Sequence, residues 1–338
     1  MKIKSFVRLA ACATVASAIA TGAAAQQQRD VIQIAGSSTV LPFSSIAAEE
    51  FGNNFSRFRT PVVGSGGSGG GLRQFCQGVG PTTIDIANAS RPISANEIES
   101  CRSNGVNQII EVQIGYDGIV FASRSGAGSF ALEPEHVFLA QAREVPQNGG
   151  WVANPYTHWN QIDGSLPNQE IVLAIPGSNH GTREVYEERV VMEGCEAVAE
   201  GADSERCLAM RTDGRVIEIA GDYTETLTRL DANADTVGVF GLSFYESNRD
   251  RLQVATVAGV EPTIDNIIAG DYPVSRPLFF YMKGEHIGVI PGLQEFAQFF
   301  INEQTSGFGS ILEEAGLIPL SDDERAEVLA NIREQRSL

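Results

Sequence analysis

The sequence lacks the short motifs that mark common metal-dependent and nucleotide-dependent enzymes. It contains no His-Glu-x-x-His zinc motif and no Gly-Lys-Ser/Thr of a P-loop. Its four histidines are scattered, and no Cys-x-x-Cys or histidine pair suggests a metal site. We therefore expect no catalytic residue, no metal ion and no cofactor.

Basic residues are also scarce in this chain. Lys and Arg number 24 against 42 Asp and Glu, which gives a net charge of −18 and a pI of about 4.6. Such an acidic surface disfavours nucleic acid and anionic membranes as partners. Because bulk charge is screened beyond about 8 Å at physiological ionic strength, an anion would have to be bound by local dipoles and directed hydrogen bonds.

Long apolar runs are absent after the N-terminal segment. A basic start leads into an apolar run over residues 9–25 that ends in three alanines, which predicts a secretory signal peptide over residues 1–25 and a periplasmic protein. Residues 9–12 resemble a lipoprotein box, but the box lies at the start of the apolar run, so a lipid anchor at Cys12 is the less favoured alternative. Cleavage would leave 313 residues, enough for two domains, with a net charge of −21.

Cysteine is rare, and its count is informative. Four of the five cysteines follow the predicted signal peptide, and an even number in an exported protein suggests disulfides. The spacings favour the pairs Cys76–Cys101 and Cys195–Cys207. Four reduced thiols in a core are the alternative.

Glycine is abundant in one stretch, residues 62–75. A strand end, Val62-Val63, is followed by six glycines and two serines in eight positions, and then by a helix start with Leu72 and Phe75 on one face. Glycines allow positive φ and close backbone approach, and a helix N-terminus offers N–H donors and the positive end of a dipole. The stretch therefore predicts an oxyanion cradle. A glycine turn without a ligand is the alternative.

The same stretch also matches the dinucleotide fingerprint at Gly64, Gly66 and Gly69. Asp85 lies near the sequence position expected for a ribose-binding acid. We give this match little weight, because so many consecutive glycines would satisfy many patterns. An exported protein also meets little nicotinamide cofactor.

Strand–turn–helix units recur four times along the chain. Their turns lie at residues 36–39, 64–71, 88–92 and 176–182, and each contains at least one Ser, Thr or Gly. Such units predict doubly wound α/β lobes that bind a ligand outside the carboxyl ends of the strands. Each turn alone could be a helix cap. Four of them together favour an oxyanion site, because hydroxyl and N–H groups bind oxyanions by directed hydrogen bonds.

The remaining pattern is less regular. It predicts separate strands over residues 109–114 and 118–122, a region over residues 145–169 that is mainly loop, and an amphipathic helix in the tail from residue 321.

Six segments, in order, extend over nearly the whole chain that follows the signal peptide: Gly36-Ser37-Ser38-Thr39-Val40, residues 67–76, residues 85–93, Tyr116-Asp117-Gly118-Ile119-Val120, residues 176–183 and residues 314–320. Together these segments resemble PstS-type phosphate-binding proteins.

This resemblance implies a type II periplasmic-binding-protein fold, with two α/β lobes joined by two crossing strands. Lobe I would comprise residues 26–118 plus 282–338, and lobe II residues 119–281. The implied function is that of a monomeric receptor, which binds inorganic phosphate between the lobes and delivers it to the membrane subunits of an ABC importer. The ligand contacts carried over from the family are Ser38, Thr39, Val40, Ser68, Ser90, Arg91, His180, Gly181 and Thr182.

Two departures from the family concern the second-lobe turn. The family usually has serine where this chain has His180, and some members have an arginine where this chain has Pro176. We therefore expect Arg91 or Arg183 to supply the positive charge.

A further departure concerns the acid that accepts a phosphate proton in some members. Ser90 occupies that region here, which leaves Asp117 as the acidic candidate. A buried carboxylate would favour phosphate, which keeps a proton near pH 7, over sulfate, which has none. A receptor for another oxyanion and a secreted phosphoesterase-like enzyme are the alternatives.

Overall fold

The structure, a computed structural model, describes residues 29–178, 181–220 and 223–338. The predicted signal peptide, the alternative anchor Cys12 and the candidate ligand residue His180 lie outside the described residues. Among the described residues, no helix is both long and apolar enough to span a membrane.

The described strands, in chain order, are β1 (Gln33–Gly36), β2 (Val62–Ser65), β3 (Ile86–Ala89), β4 (Ile109–Arg124), β5 (Ala131–Leu132), β6 (Glu144–Gln147), β7 (Gly150–Ala153), β8 (Val172–Pro176), β9 (Val216–Ile219), β10 (Thr236–Gly241), β11 (Leu252–Val254), β12 (Thr256–Val257) and β13 (Ser275–Lys283).

The described α-helices are α1 (Leu41–Asn54), α2 (Ser68–Phe75), α3 (Ala95–Ser103), α4 (Pro134–Gln141), α5 (Gly181–Tyr186), α6 (Glu193–Val198), α7 (Ser204–Leu208), α8 (Tyr223–Ala232), α9 (Leu242–Glu246), α10 (Ile264–Ile268), α11 (Leu293–Phe300), α12 (Glu303–Ser306), α13 (Ile311–Glu314) and α14 (Asp322–Glu334). A π-helix, Glu187–Met192, joins α5 to α6.

The main sheet has the strand order β2-β1-β3-β13-β4-β10-β8-β9. Strands β1, β2 and β3 are parallel and, with their helices, form the first lobe. Strands β8, β9 and β10 are parallel and form the second lobe. The predicted doubly wound α/β lobes are therefore confirmed.

Two antiparallel strands join the lobes. Strand β4 pairs with β13 over residues 109–118 and with β10 over residues 119–122, so it continues from one lobe into the other. This is the crossing arrangement that the resemblance implied. The lobe boundaries themselves stay a prediction.

The sequence pattern was wrong about β4, which is one strand rather than two. The register between β4 and β13 shifts at Gly115, which has a φ of +147°. A Cβ at Gly115 would lie 2.5 Å from the carbonyl oxygen of Ile318, so the close approach of that segment requires glycine. The glycine marks an irregularity inside a strand and not a break between two strands.

Residues 145–169, which were predicted to be mainly loop, also contain a hairpin that the prediction did not include. Strands β6 and β7 form a hairpin around Asn148 and Gly149, both of which have positive φ. An Asn-Gly pair is the preferred sequence for a two-residue hairpin turn. The sequence therefore contained this signal.

The two disulfides favoured by the spacing, Cys76–Cys101 and Cys195–Cys207, are present. The first holds α2 to α3 and the second holds α6 to α7. They close loops of 25 and 12 residues, which corresponds to about 3 kcal/mol each in the chain-entropy model. Disulfides of this kind are consistent with a location outside the cytoplasm.

Candidate functional site

The three turns of the first lobe converge at the carboxyl ends of β1, β2 and β3. The backbone N–H of Ser37 donates to the carbonyl of Asn88, and that of Gly66 donates to the carbonyl of Gly36, both at 2.9 Å. A Cβ at Gly71 would lie 2.4 Å from the Cα of Gly36. Glycine is therefore required where α2 crosses the end of β1.

Ser68 and Ser90, from the second and third turns, are brought into direct contact. Their hydroxyl oxygens are 3.0 Å apart, and the backbone N–H of Ser90 donates to Ser68 Oγ at 3.1 Å. Both residues are buried. Ser68 is the first residue of α2, whose N-cap, Gly67, makes no side-chain hydrogen bond. The pair therefore places two hydroxyl groups beside the N–H donors of a helix start.

Ser38 and Thr39 do not act as the helix cap that is the common use of such residues. Helix α1 has Val40 as its N-cap, without a side-chain hydrogen bond. The hydroxyls of Ser38 and Thr39 instead donate to Glu184 Oε2 of the second lobe, each at 3.2 Å. These hydroxyl groups therefore face the other lobe.

Arg276 and Glu184 are residues of this region that the sequence did not suggest. Arg276 lies on β13 and is 3% exposed, and its Nη2 donates to Thr39 Oγ1 at 2.8 Å. Its Nη1 donates to Glu188 Oε2 at 3.0 Å, and its Nε has no hydrogen-bond partner among the described residues. A cation directly before the apolar run Pro277–Met282 of β13 was the available signal.

Asp117 lies directly opposite Arg276, since the two are register partners across β4 and β13. It is 5% exposed, and its Oδ2 has no hydrogen-bond partner among the described residues. Burial raises the pKa of Asp117, and the Glu184 charge raises it further, while the Arg276 charge opposes the shift. This carboxyl group is therefore a ready acceptor for a hydrogen-bond donor that enters the site.

A cleft of about 730 Å³ lies between the lobes beside this group. Asp117 and Thr182 line it, and Thr182 Oγ1 accepts a hydrogen bond from Tyr223 at 3.2 Å. Ser68 and Ser90 do not line this cleft. Thr182, near the start of α5, and Asp117, on β4, thus line the same cleft from the two lobes.

The two arginines expected to supply positive charge both have carboxylate partners. Arg91 is 45% exposed and donates from both terminal nitrogens to Glu97, each at 2.9 Å. Arg183 donates to Glu187 at 2.6 Å, to Glu218 at 2.8 Å and to the carbonyl of Pro176 at 2.8 Å. Arg91 lies near the start of α2, because its Nη2 is 3.8 Å from a Cβ built at Gly69.

Asp85 is not placed as the dinucleotide fingerprint requires. It immediately precedes β3, so it lies at the amino ends of the parallel strands, opposite the glycine turn. Its carboxylate accepts from Arg29, from the N–H of Gln33 and from His286. The Asp85 carboxylate thus holds Arg29, at the start of the described chain, against the sheet on the side away from the turns.

The pKa of Asp117 predicts an identifiable pH effect on stability. Because the pKa is raised in the folded state, its stabilising contribution is complete below about pH 3.9 and is lost as the pH rises through the folded-state value. Asp117→Asn should therefore gain stability relative to wild type as the pH increases. Urea unfolding of both proteins without ligand between pH 3 and pH 8 would measure this difference.

Glu97 should affect the pH dependence of stability in the opposite direction to Asp117, because its pKa is lowered. Hydrogen bonds from Arg91 lower its pKa to about 2, so its contribution is present above about pH 4.5 and is lost as the pH falls towards 2. Glu97→Gln should lose stability relative to wild type as the pH rises. If the free energies of unfolding of Asp117→Asn and wild type change with pH in parallel, the pKa of Asp117 is not raised in the folded state.

Comparisons with known proteins agree with this architecture. The model of the PBP superfamily domain matches residues 21–304. Protein SphX of Synechococcus elongatus is 28% identical over 91% of this chain and 83% of its own length, and the phosphate-binding protein PstS of Staphylococcus saprophyticus is 26% identical over 86% and 81%.

Solved structures share the fold over most of the chain. A possible phosphate-binding protein from Planctomyces limnophilus has a TM-score of 0.70 at 22% identity and covers 90% of this chain and 98% of its own. An ABC-type phosphate transport receptor from Vibrio cholerae has a TM-score of 0.59 at 19% identity and covers 86% and 100%.

Two α/β lobes that are joined by two antiparallel strands, with a cleft between them, are the architecture of a periplasmic-binding-type protein. The chain belongs to the family described as the PBP superfamily domain. The resemblance to PstS-type proteins is confirmed, and so is the expectation of a binding protein rather than an enzyme, since the relatives are named as phosphate-binding proteins and a receptor. Among the described residues, no group of three or more His, Cys, Asp or Glu could hold a metal ion.

Proposed function

We propose that this protein is an exported receptor that binds inorganic phosphate between its lobes and delivers it to the membrane subunits of an ABC importer. The observation that carries the proposal is the buried Arg276 beside the hydroxyl of Thr39. On the neighbouring strand, Oδ2 of Asp117 has no hydrogen-bond partner in the described part of the chain. A cation, hydroxyl donors and a buried acceptor form the set that a partly protonated tetrahedral oxyanion needs. Relatives named as phosphate-binding proteins support the choice of anion.

The remaining turns complete the proposed donor set. Ser68 and Ser90 would contribute hydroxyl groups, and the starts of α2 and α5 would contribute backbone N–H groups. His180, which stands where the family usually has serine, is proposed as a further contact from the second lobe. Because donors come from both lobes, ligand binding would favour closure of the cleft.

Closure would bend β4 and β13, the strands that join the lobes. We keep residues 26–118 plus 282–338 as lobe I and residues 119–281 as lobe II. Cleavage of the signal peptide and release as a monomer into the periplasm complete the proposal, which the two disulfides support.

Titration calorimetry of the chain from residue 26 with phosphate, arsenate and sulfate, at pH 6 and pH 8, tests the proposal. Phosphate and arsenate should bind tightly, because both are tetrahedral and keep a proton in this range, whereas sulfate should bind more weakly. Tighter binding of sulfate than of phosphate would favour the receptor for another oxyanion. No binding of any of the three anions would refute the proposed function.

Asp117→Asn is expected to reduce the preference for phosphate over sulfate by about 10-fold to 100-fold. An ionised carboxylate left against an acceptor without a proton costs about 1–3 kcal/mol, and the amide can donate to sulfate instead. The measurement is the ratio of the two dissociation constants at pH 7. Asp265→Asn, which removes an exposed acid of α10, is the matched control. An unchanged ratio in Asp117→Asn would exclude Asp117 as the proton acceptor.

A further inference from the structure

Glu184 is a carboxylate of the second lobe that already occupies the hydroxyl donors of the first lobe. It lies on α5, and its Oε2 accepts hydrogen bonds from Ser38 Oγ and Thr39 Oγ1, each at 3.2 Å. The same oxygen is 3.6 Å from the Arg276 guanidinium. One carboxylate oxygen is thus surrounded by two hydroxyls and a buried cation.

These groups are the ones that the proposed ligand would need. A carboxylate oxygen and a phosphate oxygen are both anionic acceptors, so they select the same hydroxyl and guanidinium donors. Two anions that approach the same donors also repel each other strongly in a partly buried site. The ligand and the Glu184 carboxylate therefore cannot both hold Ser38, Thr39 and Arg276 in this arrangement.

We propose that Glu184 is an internal competitor of the ligand. Without ligand, its carboxylate takes the oxyanion position at the Ser38–Thr39 turn and holds the lobes together, and the anion binds by displacing it. Glu184 thereby sets the affinity of the site. The identity of the competing anion rests on the proposed function.

Glu188 would hold Arg276 in place after Glu184 loses its contact with the guanidinium. It belongs to the π-helix that follows α5, and its Oε2 accepts from Arg276 Nη1 at 3.0 Å. The guanidinium therefore keeps one carboxylate partner of the second lobe while its Nη2 and Nε face the anion. π-helical segments are frequent at functional sites, because they interrupt the regular hydrogen bonding of a helix.

The test compares phosphate affinity in wild type, Glu184→Gln and Glu193→Gln. Glu193 begins α6, is exposed, and pairs with Arg189 at 3.3 Å, so its variant removes the same charge from the same helical run without touching the first lobe. Glu184→Gln should bind phosphate about tenfold more tightly, which corresponds to one hydrogen bond to a charged group. Glu193→Gln should bind like wild type.

Two results of this titration would overturn the proposal. Unchanged affinity in Glu184→Gln would show that the carboxylate does not compete, and weaker binding would make Glu184 a direct ligand contact instead. In both cases wild type still binds phosphate, so the proposed function survives.

Small-angle X-ray scattering without ligand provides a readout that does not depend on phosphate. Loss of the contact to Ser38 and Thr39 should open the cleft, so Glu184→Gln and Glu184→Ala should have a larger radius of gyration than wild type and Glu193→Gln. An equal radius in all four proteins would refute the role of Glu184 in holding the lobes together. If no protein binds phosphate, the proposed function and the competition both fail, while the scattering still decides whether the interlobe contact exists.

Discussion

Arg276→Ala is expected to weaken phosphate binding by about 100-fold or more. The guanidinium is buried beside Thr39 and has an Nε without a partner among the described residues. A hydrogen bond to a charged group contributes about 1.5–3 kcal/mol, so the loss of two such bonds to the anion removes at least two orders of magnitude in affinity. Calorimetric titration of the purified variant with phosphate measures this loss.

Two further variants separate the charge from the geometry of Arg276. Arg276→Lys keeps the positive charge but lacks the planar fork, so its affinity should lie between those of Arg276→Ala and wild type. Arg229→Ala, which removes a half-exposed surface arginine of α8, should bind like wild type. If Arg276→Ala binds phosphate within a factor of three of wild type while remaining folded, Arg276 is not a ligand contact.

This result would also decide between the arginines suggested by the sequence and the one found in the structure. Arg91 is held by Glu97, and Arg183 is held by Glu187 and Glu218. An arginine that is already paired must break those contacts before it can bind an anion. We therefore expect a smaller loss of affinity for Arg91→Ala than for Arg276→Ala.

Asp85→Ala is expected to lower the free energy of unfolding by about 3–5 kcal/mol. The fully buried carboxylate accepts two hydrogen bonds from Arg29 at 2.7 and 2.8 Å and one from His286 Nδ1 at 2.6 Å. Nε2 of His286 accepts from the N–H of Gly80 at 3.1 Å, so Nδ1 carries the proton that it shares with Asp85. Removal of one partner from a buried pair is costly because the other charge stays buried.

Urea unfolding at pH 7 of Asp85→Ala and Asp30→Ala measures this effect against a matched control. Asp30 pairs with Arg59 at 3.1 Å, but both side chains are more than half exposed, and such pairs contribute about 0–1 kcal/mol. Because Asp85 lies at the edge of the sheet opposite the turns, the folded Asp85→Ala protein should keep its phosphate affinity. A loss of less than about 1 kcal/mol in stability would show that Asp85 is not needed to hold the N-terminal segment.

The sequence allowed correct predictions wherever the signal was local. The two parallel-stranded lobes followed from strand–turn–helix units, and the disulfides followed from short cysteine spacings. The convergence of Ser68 with Ser90 followed from the rule that parallel strands end at one edge. The helix expected after residue 321 is α14, and Ser321 and Glu324 form its capping box.

Predictions that needed long-range contacts were less successful. Strand β4 looked interrupted because Gly115 meets Ile318 from a segment about 200 residues later. The dinucleotide match, which was given little weight, depended on the sequence distance to Asp85, and this residue lies at the amino ends of the strands, away from the glycine turn. In both cases the local pattern has two physical explanations, and a distant segment decides between them.

By itself, the sequence determined the class of this protein and the chemistry of its turns, because α/β units and hydroxyl-rich strand ends are encoded over a few neighbouring residues. Only the tertiary structure placed Arg276 against Thr39, 237 residues away, and Glu184 against Ser38, 146 residues away. The first contact depends on β13, which carries Arg276 and pairs with β4 where the two lobes join. The second contact depends on how closely the two lobes approach each other. The glycine and serine turns could therefore be identified from the sequence, whereas the buried cation Arg276 and the competing carboxylate Glu184 could not.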